Sequence, residues 1–331
     1  MGMKDKQSLF SHIYIEERAL SYPFTDRIIQ RFPKAERIII GHYKNVFNRP
    51  RQDFVLQKQS PKLILAVKED SFLYEGPEVC EDFGYDNFYY ASTLLNCLYD
   101  CDYCYLQGLY PSANIVAFVN IGDFFTAVEK QLAEGQLYLC VSYDTDLLAF
   151  EGLLPYTSCW IEFAKKHQNL LIEIRTKSAN FNRIKQLEAI EQVILAWSLS
   201  PSPIAKRYER LAPGLESRLK AAFQAIEYGW KVRLSLEPVL KVEGWKGIYS
   251  QFVDRIFEVL PADKIHDINI GAFRMSRDYY KKISQMRTDT DVFAYPVETK
   301  KGIVSYKDEH EIRKFVFDRV AKYFPEEKIF V

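Results

Sequence analysis

The chain has 331 residues, 48% hydrophobic and 27% charged, with a mean hydropathy of -0.22. That is enough apolar material for one large barrel or two modest domains, and it excludes a disordered, collagenous or coiled-coil chain. No apolar run reaches the roughly 18 residues that span a bilayer and the first ten residues, MGMKDKQSLF, lack an apolar secretion stretch, so a cytoplasmic protein with no membrane contact is expected.

In chain order, the first 68 residues read as a small α/β module. It contains YIEERAL, an amphipathic stretch near 25–32 and apolar runs at 37–40 and 62–67. A loop-like segment at 71–87, with Gly76, Pro77 and Gly84 among five acidic residues, marks the expected boundary. The division is therefore an N-terminal module over 1–85 and a larger unit over 86–331, the latter ending in an extension from about 270.

Beyond the boundary, β-branched or aromatic runs alternate with helix-period runs, the pattern of repeated βα units and a parallel sheet. Strands are predicted at 88–95, 114–120, 137–142, 170–176, 193–200, 231–238 and 266–273. Helices are predicted at 123–134 with Asp123 as N-cap, at about 153–167 and 181–189, at 215–228 with Gly229 following, and at 245–260. Several strands are apolar on both faces, and no Gly-rich GxGxxG turn follows any of them. An incomplete TIM-type (βα) barrel fits better than a doubly wound sheet, and its chemistry belongs at the C-terminal ends of the strands.

The charge is uneven along this plan. Residues 69–162 hold sixteen acidic side chains against one basic one, Lys130, although the whole chain balances at 44 of each sign. Unless the imbalance is only that of a solvated surface, a polyanion should meet the basic flanks.

Six cysteines are too sparse for a disulfide framework, and three crowd into NCLYDCDYCYLQ as Cys97, Cys101 and Cys104. This C-x3-C-x2-C set follows the first predicted barrel strand. Three thiolates can hold three corners of a cubane [4Fe–4S] cluster and leave its fourth iron open for chemistry. Zinc, or a disulfide plus one free thiol, are the alternatives, although no His lies in the loop to complete a zinc tetrahedron.

The spacing, with aromatic Tyr103 before the last cysteine, resembles the radical S-adenosylmethionine superfamily. That resemblance implies an incomplete (βα)6 barrel, an open iron chelating the methionine end of S-adenosylmethionine, and reductive cleavage to a 5′-deoxyadenosyl radical. A narrower resemblance, carried by YIEERALSYP, CDYCYLQ, SYDTDLLAFEG, RTK, WSLS and LEPVLKVEGW, is to the spore photoproduct lyase family, whose members revert a thymine dimer in DNA.

This family resemblance implies roles for individual residues. Tyr103 and Tyr105 correspond to tyrosines of a hydrogen-atom relay, with packing as the alternative in a chain of 22 Tyr and 23 Phe. Tyr105, Thr145, Asp146, Lys177 and Ser198 are the expected cofactor contacts, Lys177 toward the carboxylate and Ser198 toward the ribose. Asp146 has the alternative of capping the next helix.

Where the family carries a hydrogen-donating cysteine, this chain has Tyr143, with Cys140 three residues earlier. On a continuous strand those two would face opposite sides. Either Tyr143 donates, or the chain bends, or the substrate differs; Cys140, like Cys80 and Cys159, otherwise reads as a small buried hydrophobe.

DNA carrying the lesion is implied as partner, held by phosphate contacts from Arg274, Arg277, Lys281, Lys282, Lys300 and Lys301, with Tyr295 and Tyr306 as stacking faces. A reductase, flavodoxin or ferredoxin is implied as electron donor. Asp100 and Asp102, between the cluster cysteines, are awkward neighbours for a phosphodiester. Two competing readings are a radical enzyme of this family acting on another lesion, nucleotide or peptide, and a non-catalytic DNA-binding module with a structural metal.

Overall fold

The computed structural model describes residues 9–331. Strands His12–Glu16 (β1), Glu36–Ile40 (β2) and Leu63–Ala66 (β3) pair in parallel in the order β2-β1-β3. Every residue of β3 is buried, as its unbroken apolar run LILA requires. Tyr74–Glu75 (β4) then pairs antiparallel with Phe88–Tyr90 (β5).

The strand predicted at 88–95 breaks after Tyr90. Leu94–Leu95 (β6) joins the first sheet instead, antiparallel to Ile115–Phe118 (β8), which in turn lies parallel to β3. The intervening Asp100–Cys101 (β7) belongs to neither sheet. The run predicted at 114–120 is thus no barrel strand. The first sheet, β2-β1-β3-β8-β6, draws on both sides of the boundary expected at residue 85. The small residues Ala91, Ser92 and Thr93 make the crossing: Ala91 N–H donates to Cys140 of the large sheet, and the Thr93 carbonyl accepts from Phe118 of the small one.

The large sheet adds Leu137–Cys140 (β9), Leu170–Thr176 (β10), Val193–Ser198 (β11), Lys231–Val239 (β13) and Asp267–Ala272 (β14), with Glu209–Arg210 (β12) pairing outside it to β7. Arg274–Ser276 (β15), Val297–Lys300 (β16) and Ile303–Tyr306 (β17) form a separate antiparallel sheet. Ile329–Phe330 (β18) returns to pair with β14.

From β5 through β9, β10, β11, β13 and β14, each strand lies parallel beside the next in chain order. With right-handed crossovers, a sheet wound in one direction puts its helices on one face, and its twist curls the other face into a concave half-barrel.

The helices follow prediction with local differences. The predicted 123–134 helix is Ile121–Leu132, with Asn120 at the N-cap and Asp123 accepting from Asn120 Nδ2 at 2.7 Å. The predicted 181–189 helix shrinks to the 3₁₀ turn Phe181–Arg183, because burying Phe181 and Ile184 needs only one i, i+3 turn. Helix Leu215–Glu227 stops where Gly229, at φ +83, takes the left-handed conformation expected just past its end.

Candidate active site

The cysteine loop leaves β6 through Asn96, whose φ of +70 turns the chain at small cost for an Asn. The Asn96 amide donates to the Ser112 and Asn114 carbonyls, each at 2.7 Å, and Thr145 Oγ1 donates to the Asn96 carbonyl at 2.7 Å. Buried Lys58 sends its ammonium to the carbonyls of Cys97 and of Tyr99, the latter at 2.9 Å.

The far side of the loop is held as firmly. β7, which contains Cys101, pairs with β12, where Glu209 accepts from Tyr103 Oη, from Ser200 Oγ at 2.8 Å and from the guanidinium of Arg218. Both members of the Glu209–Arg218 pair have completely buried side chains.

Cys97, Cys101 and Cys104 all line one cavity of about 400 Å³ at the C-terminal ends of β9, β10 and β11. Burial raises all three thiols, Cys97 to about 12, and the ammonium charges of Lys58 and Lys177 act against that rise. The Tyr99 N–H donates to Cys97 Sγ at 3.4 Å. Among the described residues no three His, Cys, Asp or Glu side chains converge tightly enough to grip one bare ion. The three thiols line one cavity, and the charges of Lys58 and Lys177 favour their ionised form, a donor set that fits an iron–sulfur core held at three corners.

Tyr105, Tyr143, Thr145, Asp146, Lys177 and Ser198 line the same cavity. Lys177 Nζ lies 5.7 Å from the centre of the Tyr103 ring, facing the loop. Asp146 has both oxygens engaged: Oδ1 accepts from Thr176 Oγ1 at 2.7 Å and caps helix Leu147–Phe150 through Ala149 N–H, while Oδ2 accepts from the Lys177 N–H at 2.7 Å. The capping alternative is therefore realised, and Asp146 positions the backbone of Lys177. Tyr103 likewise has its hydroxyl committed to Glu209.

Cys140 and Tyr143 do not face opposite ways. β9 ends at Cys140, the chain bends at Val141, and both side chains reach the cavity. Tyr143 packs 4.4 Å from the Tyr90 ring and 5.6 Å from that of Tyr105, whose hydroxyl donates to the Tyr143 carbonyl at 2.6 Å. The loop at 71–87, read from sequence only as a boundary, forms a wall of the cavity through Val79, Cys80, Glu81 and Phe83. Gly76 lets it lie on β5, since a Cβ there would stand 2.1 Å from the Phe88 ring.

The substrate side differs most from expectation. Arg274 lines the cavity but pairs with Glu237 at 3.0 Å and donates to the Val79 carbonyl at 3.1 Å. Glu237 also pairs with Arg175 at 3.1 Å, and Arg175 with Glu173 at 3.0 Å. Glu173 in turn pairs with Arg233 at 2.6 Å, and Arg233 with Asp267 at 2.5 Å. No sequence motif announces this ionic chain, because its members are brought together only by neighbouring strands.

Arg277 is exposed, Lys300 pairs with Glu298 at 2.6 Å, and Lys301 sits in the β16–β17 turn, all outside the cavity wall. Tyr306 is a correction: it is completely buried against Phe273 and Tyr295, so it offers no face to a base. The acids feared as repulsive are neutralised, Asp100 by buried Arg287 and Asp102 by Arg210 at 2.9 Å.

The comparisons with known proteins agree with this geometry. Spore photoproduct lyase of Bacillus subtilis is 21% identical over 337 residues, covering 96% of each chain, and that of Clostridium acetobutylicum is 20% identical over 344 residues, covering 96% of this chain and 97% of its own. Among solved structures, spore photoproduct lyase complexed with dinucleoside spore photoproduct superposes with a TM-score of 0.82 at 19% identity, covering 98% of this chain and 99% of that one. A variant with bound AdoMet and the same dinucleoside matches equally well, at 0.82 and 19%, over 97% of this chain and 98% of that one. The family model for spore photoproduct lyase matches residues 9–330, essentially the whole described chain, and the chain belongs to the spore photoproduct lyase family.

Proposed function

We propose that the protein is a radical S-adenosylmethionine lyase that repairs the spore photoproduct, a thymine dimer in DNA. The observation that carries this is the sharing of one cavity by the three loop thiols, Lys177 just after β10 and Ser198 of β11. Six strands, β5, β9, β10, β11, β13 and β14, follow one another in parallel, and this supports the finer reading of an incomplete (βα)6 barrel. In that reading the sheet around β1 is an N-terminal module and residues from about 270 form a substrate-side extension.

Cys97, Cys101 and Cys104 would hold a [4Fe–4S] cluster, and Lys177, Ser198, Thr145 and Tyr105 would hold S-adenosylmethionine beside it. When bound, this pair supplies a 5′-deoxyadenosyl radical able to take a hydrogen atom from the lesion. The chain's own contribution is placement. Lys177 offers the carboxylate of the cofactor a cation, oriented by the bond from its N–H to Asp146. Phe83, Phe88 and Phe273 give the cavity an apolar wall against which a thymine pair extruded from the helix can pack while water is displaced. A flavodoxin- or ferredoxin-type protein is the electron donor in this reading.

Anaerobic reconstitution should give about four iron and four sulfide per chain. Release of 5′-deoxyadenosine should then depend on added dinucleoside spore photoproduct and be accompanied by paired thymines. Cofactor turnover indifferent to that lesion would remove the repair reading.

A further inference from the structure

An electron must reach the cluster loop from outside, and the cavity side of that loop is taken by cofactor and lesion. Two other supports border the loop. On one, β12 pairs with β7, and the arginines there are already matched: Arg207 with Asp291 at 2.7 Å, and Arg210 with Asp289 at 2.8 Å and Asp102 at 2.9 Å. On the other, helix Phe54–Lys58 holds the loop through Lys58, which donates to the Cys97 and Tyr99 carbonyls and does not line the cavity.

The surface around this helix is both basic and apolar. From 44 to 62 the chain carries Lys44, Arg49, Arg51, Lys58 and Lys62 against one acid, Asp53, whose carboxylate accepts the Leu56 N–H at 2.9 Å. Arg49 and Arg51 are exposed, and neither has an acidic partner among the described residues. Leu56, two residues before Lys58, is 62% exposed, the highest value for a large apolar side chain among the described residues.

The surface is also prebuilt. Gln52 Nε2 donates to the Phe47 and Arg49 carbonyls at 2.7 and 2.9 Å, Gln57 Nε2 donates to Gln52 Oε1 at 2.8 Å, and Gln57 Oε1 accepts the Ala113 N–H at 2.9 Å. Unpaired cations around an exposed leucine suit an acidic protein, whereas a DNA backbone would use the cations and leave the leucine wet. On the strength of the repair reading above, we propose that residues 49–58 form the landing surface of the electron donor, an acidic flavodoxin- or ferredoxin-type carrier.

The step moves one electron and no atoms. The reduced flavin or iron–sulfur centre of the carrier loses the electron, the cluster at Cys97, Cys101 and Cys104 gains it, and no bond of this chain forms or breaks. Opposite charge speeds the encounter, an effect that salt screens beyond about 10 Å at 0.1 M, and Leu56 supplies the apolar contact that holds the docked pair. The bond from Lys58 to the Cys97 carbonyl then joins the landing surface to a cluster cysteine.

The test titrates oxidised flavodoxin and an oxidised low-potential ferredoxin into the metal-free chain by calorimetry at low salt, and mixes the reduced carriers with the reconstituted chain in a stopped flow. Arg49→Glu/Arg51→Glu should weaken binding of at least one carrier about tenfold and slow its oxidation to match, and Leu56→Ser should weaken it about threefold. Arg207→Glu, on the β12 side, should stay within about twofold. Dithionite needs no docking, so the 5′-deoxyadenosine it drives, the bound iron and the melting temperature should match wild type in every variant. Arg49→Gln/Arg51→Gln, which removes the charges without reversing them, serves if the reversal disturbs folding.

A wild-type chain that binds neither carrier, undiminished binding of both by the charge variants, or a larger loss in Arg207→Glu would overturn the assignment. So would charge variants that lose undamaged duplex DNA tenfold but keep both carriers, since the surface would then belong to DNA. Absence of lesion-dependent 5′-deoxyadenosine from the wild-type chain under dithionite would instead count against the repair reading, which the binding titrations do not require.

Discussion

The cluster loop depends on a buried ion pair that does no chemistry, and Glu209→Gln tests how strongly. Glu209 receives Tyr103 Oη, Ser200 Oγ and the guanidinium of Arg218, and neither side chain of the ion pair is exposed at all. Burial by itself would raise the Glu209 carboxyl, but Lys177 and Arg218 hold it below the usual range, so it is ionised at neutral pH. The amide keeps an acceptor for Tyr103 but leaves the Arg218 charge uncompensated in a dry site. Removing one partner of such a pair costs about 3–5 kcal/mol, and retention of the tyrosine bond places the expected loss near 3 kcal/mol. At about 1.4 kcal/mol per tenfold, the unfolded fraction rises more than a hundredfold.

Urea unfolding of the reduced, metal-free chain measures that loss, and iron bound after reconstitution should fall with it, because β12 carries β7 and Cys101. The double variant Glu209→Gln/Arg218→Met removes both charges and should recover at least about half of the stability. A single-variant loss under about 1 kcal/mol, or a double variant no more stable than the single, would refute the reasoning.

Three further outcomes are expected. Burial would raise the Glu173 carboxyl, but Arg175 and Arg233 outweigh it and hold it at about 2 against an ordinary 4.5. A depressed carboxyl stabilises the fold fully above its unfolded pKa. About 3 kcal/mol should therefore be lost as pH falls from about 4.5 toward 2, and urea midpoints of Glu173→Gln should lack that slope. Alanine at Cys97, Cys101 or Cys104 should cut bound iron from about four per chain to under one. Cys159→Ala, on helix Tyr156–Ala164 and off the cavity, should retain it; equal iron in all four variants would exclude the loop as the cluster site. Gly108→Ala would place a Cβ 2.7 Å from the Tyr279 Cα. It should lower the melting temperature by forcing helices Leu106–Leu109 and Arg277–Met286 apart at a cost of about 1–3 kcal/mol, whereas an unchanged melting temperature would show that the contact yields freely.

The sequence by itself determined the features whose physics is local. The C-x3-C-x2-C spacing keeps three thiols on one short loop whatever surrounds them, and the apolar runs of β10, β11, β13 and β14 are buried on both faces in any arrangement that covers them with helices. Only the tertiary structure decided the rest, because it depends on which strands become neighbours. The run at 114–120 is as apolar as a barrel strand, and its place beside β3 follows from the crossing at Ala91–Thr93. The family resemblance puts Tyr306 forward as a base-stacking face, but β17 turns it into the core. Asp100 and Asp102 gain their arginine partners from residues more than a hundred positions away. Cys80 and Tyr143, 63 residues apart, meet only because a loop that looked like a linker folds back over the mouth of the half-barrel.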